Sequence, residues 1–176
     1  MLSFVLAALA LSSSALPTPL AARTTGCAGL PDGLSSDPSF TLQAILDTDQ
    51  SAVTLGLVLQ PGTSLFNLVI GVSDDATVFA MENSAIIAVP PRVGASAPVA
   101  SSNAYLIFTS ENPNPTAAPY CILANDPAGL SLPGPVLTVN GSADDFSLCT
   151  VEGEEVILYN AQGDATCRPV HIVVQQ

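Results

Sequence analysis

About ten short runs of aliphatic, β-branched and aromatic residues, each too short for an ordinary helix, occupy the chain between Phe40 and Val174. They fall at 40–44, 53–59, 65–72, 78–81, 85–89, 105–108, 136–139, 146–149, 156–159 and 170–174. Between them lie residues that turn a backbone: Pro61-Gly62, Ser73-Asp74-Asp75, Glu82-Asn83-Ser84, Asn140-Gly141 and the segment 161–165. No stretch carries a sustained 3.6-residue apolar period with a cap, so helices have no place to start. The pattern predicts an all-β fold, a single-domain antiparallel β-sandwich or barrel, with proline-rich crossings at 90–98 and 113–119. A β-trefoil is the alternative of compatible size, although no three-fold repeat is visible.

The chain divides before the first strand. Leu2 to Leu11 is almost continuously apolar and runs into Ser12-Ser13-Ser14-Ala15 and then Leu16-Pro17, so residues 1–15 read as a secretory signal peptide. Serines and prolines interrupt it too early for a bilayer span. Residues 16–37 read as an N-terminal arm and 38–176 as one β domain, about 160 residues after processing and enough to bury a core. All four cysteines, Cys27, Cys121, Cys149 and Cys167, follow the leader, and an even count in an exported chain points to two disulfides with three possible pairings. The favoured pairing joins Cys149 to Cys167 across neighbouring strands and leaves Cys27 to tie the arm to Cys121. Asn140-Gly141-Ser142 is an acceptor sequence for N-glycosylation at a turn.

Charge narrows the partners. The formal net charge is -12, with three basic residues, Arg23, Arg92 and Arg168, and no lysine. Such a surface repels phosphate backbones and anionic lipid, so neither nucleic acid nor a membrane is an expected partner. Lysine-dependent chemistry is excluded by composition. A zinc site would need closely spaced ligands, and the nearest cysteines are Cys149 and Cys167, so no metal and no cofactor is expected. The stretch Asp47-Thr48-Asp49 begins like a calcium loop but has Ala52 where a glycine is needed and Val58 where a glutamate is needed.

His171 is the single histidine. Strand alternation puts it on the face opposite Val170, Ile172 and Val174, as a half-exposed strand residue and not a catalyst. A serine triad lacks its G-x-S-x-G elbow, and the thiols are spoken for by disulfides, so no catalytic residue is assigned. The carboxylate pairs Asp74-Asp75, Asp144-Asp145 and Glu154-Glu155 keep an acid hydrolase open as a second function class. Asn140, Asp144 and Asp145 could at most form a weak surface cation site.

The pattern Phe146-Ser147-Leu148-Cys149, Val156-Ile157-Leu158-Tyr159-Asn160, then Cys167-x-Pro169-Val170-x-Ile172 resembles the end of small secreted fungal proteins, including cell-wall phialide-type and IgE-binding-like proteins. The resemblance covers roughly the last 30 residues. It implies an extracellular or cell-wall protein, and it carries over no catalytic residue. The expected function is therefore non-enzymatic binding or adhesion, with cell-wall polysaccharide, other secreted proteins or a small apolar ligand as partner. For carbohydrate, which lacks a tryptophan here to stack on, Tyr105, Tyr120 and Tyr159 are the candidate platforms.

Overall fold

The computed structural model describes residues 27, 30, 33–70, 77–89, 93–95, 104–109, 119–124, 131–161, 163 and 165–176. The expected leader, most of the expected arm, Asp74-Asp75, Arg23 and Arg92 lie outside the described residues, as does most of both expected proline-rich crossings. Among the described residues fourteen strands form one antiparallel sheet system. The first half of the chain gives β1 (Gly33–Leu34), β2 (Asp37–Leu46), β3 (Ala52–Leu59), β4 (Leu65–Ile70), β5 (Phe79–Glu82), β6 (Ala85–Ala88) and β7 (Val93–Ala95). The second half gives β8 (Ala104–Tyr105), β9 (Ile107–Thr109), β10 (Tyr120–Leu123), β11 (Val136–Val139), β12 (Phe146–Val151), β13 (Glu154–Tyr159) and β14 (Cys167–Gln175).

Nine of these close on themselves as a barrel: β14, β12, β13, β4, β9, β7, β6, β5 and β2, which returns to β14. β3 bridges β2 and β4, and β8 pairs with β13. On the far side of β14, β11, β10 and β1 continue the sheet outward. The strand order does not repeat in thirds, which sets the fold apart from a trefoil. Closure leaves the nine barrel strands without open edges, and the sheet ends instead at β1.

The expected strands are present, and four places go beyond them. β10 lies beside the expected crossing at 113–119, β7 lies inside the expected crossing at 90–98, β1 lies in the expected arm, and the run near residue 106 is divided, with Leu106 buried between β8 and β9. Gly33 and Leu34 pair with Leu123 and Ile122, so the end of the arm joins the sheet. A Cβ at Gly33 would lie 2.7 Å from the Cys121 sulfur, so only glycine lets this strand pass so close to the disulfide.

Alternation explains the core. Leu42, Ala44 and Leu46 of β2, Phe146 and Leu148 of β12, Ile157 and Tyr159 of β13, and Val170, Ile172 and Val174 of β14 all point inward into one cluster. Residues one step out of phase build a second cluster: Val69, Cys149, Val156 and Leu158, with Val58, Tyr105 and Val151 packed half-exposed against them. The barrel wall around β4, β12 and β13 is thus apolar on both faces.

Both disulfides brace this frame. Cys149 and Cys167 are directly paired residues of β12 and β14, and Cys27 is joined to Cys121 of β10. This is the favoured connectivity, and no described cysteine is free. Two disulfides suit an oxidising, extracellular setting.

Candidate functional site

His171 departs from the sequence expectation. It is 3 % exposed, not half-exposed. The cause is tertiary: β14 is paired along Val170–Gln175 with β2, while β12 and β11 take its other edge, and two turns cover its outer face. One turn follows β2 and brings Asp47, whose Oδ1 accepts from His171 Nδ1 at 2.7 Å. The other precedes β12 and brings Asp144, whose Oδ1 accepts from Nε2 at 3.1 Å.

Ionised carboxylates only accept hydrogen bonds, and a neutral imidazole has one N–H; both contacts are satisfied together only by the imidazolium. Burial works against that charge. The hydrogen bonds to Asp144 and Asp47, and the charges of both carboxylates, outweigh the burial and raise the His171 pKa above the ordinary histidine value. In its protonated form the ring is a rivet between two turns. With both nitrogens occupied, neither faces a substrate as a general base needs to. Its two carboxylates approach from opposite sides of the ring and do not converge on a point where one cation could sit.

The acidic pairs separate in the same way. Asp144 goes to His171, whereas Asp145 Oδ2 accepts from the Tyr159 hydroxyl at 3.3 Å. Burial, the Asp145 charge and this hydrogen bond raise the Tyr159 pKa. The weak cation site imagined at Asn140, Asp144 and Asp145 is thus divided between two other partners. Among the described residues no group of three or more His, Cys, Asp or Glu side chains could hold a metal ion. Glu155 pairs with Arg168.

Asn140 lies in an exposed two-residue turn with Gly141; both have positive φ, 52° and 85°, and Val139 and Ser142 exchange backbone hydrogen bonds across it. The acceptor side chain is at the surface.

A concave region lies on the outer apolar cluster. The β3–β4 hairpin tip, with Leu59, Gln60 and Pro61, stands on one side, and the β12–β13 tip, with Glu152 and Glu154, on the other. Val58, Asn67, Tyr105, Val151 and Val156 complete a groove of about 550 Å³. The Glu152-Gly153 turn takes positive φ at both positions, 54° and 89°, the two-residue geometry whose twist matches the strands it joins. On the opposite tip, Gln60 donates its backbone N–H to Leu65 at 2.8 Å and its side-chain N–H to Asn67 Oδ1 at 2.6 Å. Both rims are held by their own hairpins.

Of the three tyrosines named as stacking platforms, Tyr120 is fully buried, its pKa raised by that burial, and Tyr159 is buried at the barrel interior. Tyr105 is the half-exposed one, and it lines the groove. The sequence singled out Tyr105 but gave no sign of the groove, because its two rims are far apart in the chain. Comparison with protein-family models, curated proteins and solved structures finds no match.

Proposed function

We propose that this is a secreted, non-enzymatic binding protein of the cell surface or surrounding medium, which engages polysaccharide through the groove between the β3–β4 and β12–β13 tips. The observation that carries the reading is the groove itself: an apolar floor, one half-exposed aromatic ring and polar side chains on rigid rims. Apolar and polar groups share the lining about equally, which suits an amphipathic ligand better than a purely apolar one. A tyrosine face suits the C–H face of a pyranose, and amide side chains suit its hydroxyls. The leader, the two disulfides, the acceptor at Asn140 and the resemblance of the last strands to secreted fungal wall proteins support an extracellular station.

The test is depletion of the purified mature protein from solution by insoluble chitin, insoluble glucan or immobilised secreted proteins. Retention on polysaccharide, lost in Tyr105→Ala, is the expected result. Retention on secreted proteins alone, or retention unaffected by Tyr105→Ala, overturns the reading. Release of new reducing ends from the polysaccharide would replace binding with hydrolysis, using Glu152 and Glu154 as the acids bordering the groove.

A further inference from the structure

Two carboxylates, Glu152 and Glu154, border the groove, and neither has a cation partner among the described residues. Glu152 and Glu154 are exposed, and among the described residues no ion pair engages either; Arg168, the single described arginine, is committed to Glu155. The remaining arginines, Arg23 and Arg92, are far outnumbered by 15 acidic residues over the whole chain. A neutral ligand leaves these two charges uncompensated, and an anionic one is repelled.

Opposite them, the Gln60–Asn67 hydrogen bond fixes two amide groups against one another. Once Gln60 has donated one N–H to Asn67 Oδ1, Gln60 retains its carbonyl oxygen and a second N–H, and Asn67 retains two N–H donors. That is a preset group of donors and an acceptor for neighbouring hydroxyls. Tyr105 and the aliphatic side chains of Val58 and Val156 line the same groove, Val58 directly opposite Asn67 across β3 and β4. The groove therefore offers an apolar face, hydroxyl partners on one rim and negative charge on the other.

We propose that the groove selects an amino sugar, an oligosaccharide whose units carry protonated amines, over its N-acetylated and neutral counterparts. The pyranose C–H face lies against Tyr105, ring hydroxyls meet Gln60 and Asn67, and the ammonium group meets Glu152 and Glu154. This deepens the polysaccharide-binding reading above and rests on it. A charged hydrogen bond from ammonium to carboxylate is roughly twice as strong as a neutral one, so the amine is the feature most strongly discriminated.

The test is calorimetric titration of the full mature protein with short oligomers of glucosamine, of N-acetylglucosamine and of glucose. It is run at about pH 5.5, where the sugar amines are protonated, and repeated between about 50 mM and about 300 mM salt. The glucosamine oligomer is expected to bind at least about tenfold more tightly than the other two, a margin of about 1.4 kcal/mol, and to weaken with salt. The double variant Glu152→Gln/Glu154→Gln, at an exposed hairpin tip where folding is not at risk, is expected to abolish the preference while leaving residual binding. Equal affinity for all three oligomers, each lost in Tyr105→Ala, overturns the amino-sugar inference and leaves the polysaccharide reading standing. A glucosamine preference that persists in the double variant assigns the effect to diffuse charge and also overturns the inference. No binding of any oligomer removes the underlying reading as well.

Discussion

His171 has a consequence that can be read from its two contacts. Its folded pKa is raised above the unfolded value of about 6.5, so the folded state binds the proton more tightly. The stabilisation is fully present below about pH 6.5 and is lost as pH rises through the higher folded pKa. The groups that face it are Asp47 from the turn after β2 and Asp144 from the turn before β12. Neighbouring charges are engaged elsewhere: Asp49 with Ser51, Asp145 with Tyr159 and Arg168 with Glu155. The urea midpoint is expected to fall between about pH 6.5 and pH 9, and His171→Gln is expected to flatten that slope. A midpoint that rises over this interval in the native protein would contradict the clamp. Ser84 gives a second residue-scale test. It sits with Asn83 in the β5–β6 turn at φ 64°, fully buried, and its hydroxyl has no hydrogen-bond partner among the described residues. Ser84→Gly relieves the left-handed backbone and removes the unsatisfied group, and is expected to raise stability by about 1 kcal/mol in urea titration.

At the scale of elements, the disulfides differ in what they hold. Cys27–Cys121 closes a separation of 94 residues and fixes β1 to the outer sheet, whereas Cys149–Cys167 closes 18 residues between strands that are already paired. On a chain-entropy basis the first contributes about 4–5 kcal/mol and the second about 3 kcal/mol. Removing each pair as a double serine variant is therefore expected to lower stability more for Cys27/Cys121, as read by thermal unfolding. The strands themselves were legible because their side chains alternate or carry β-branched residues between turn formers. β10 escaped because Tyr120–Leu123 is four consecutive buried residues flanked by prolines, with no alternation to show a face. β7, Val93-Gly94-Ala95, is too short and too small in side chain to stand out. His171 was placed on its correct face, but its burial depends on Asp47, 124 residues away, and no local period carries such information.

For the whole molecule, closure of the barrel brings the β3–β4 and β12–β13 tips together and makes the groove, which is why neither hairpin alone revealed it. The chain as a whole is strongly acidic, with a sequence pI of about 4.1. As pH falls from 7 toward about 4.5, carboxylates lose charge, mutual repulsion collapses, and the protein is expected to self-associate. Sedimentation velocity across that range reads this directly, and an unchanged monomer would refute it. Binding, as distinct from adhesion by loss of charge, should be confined to one place on the barrel. The most direct test is to assign the backbone amide resonances and titrate the native protein at neutral pH with a soluble polysaccharide fragment. Shifts concentrated at Val58, Asn67, Tyr105, Val151 and Glu154 are the result this account requires; shifts scattered over the barrel, or none at saturating ligand, would contradict it.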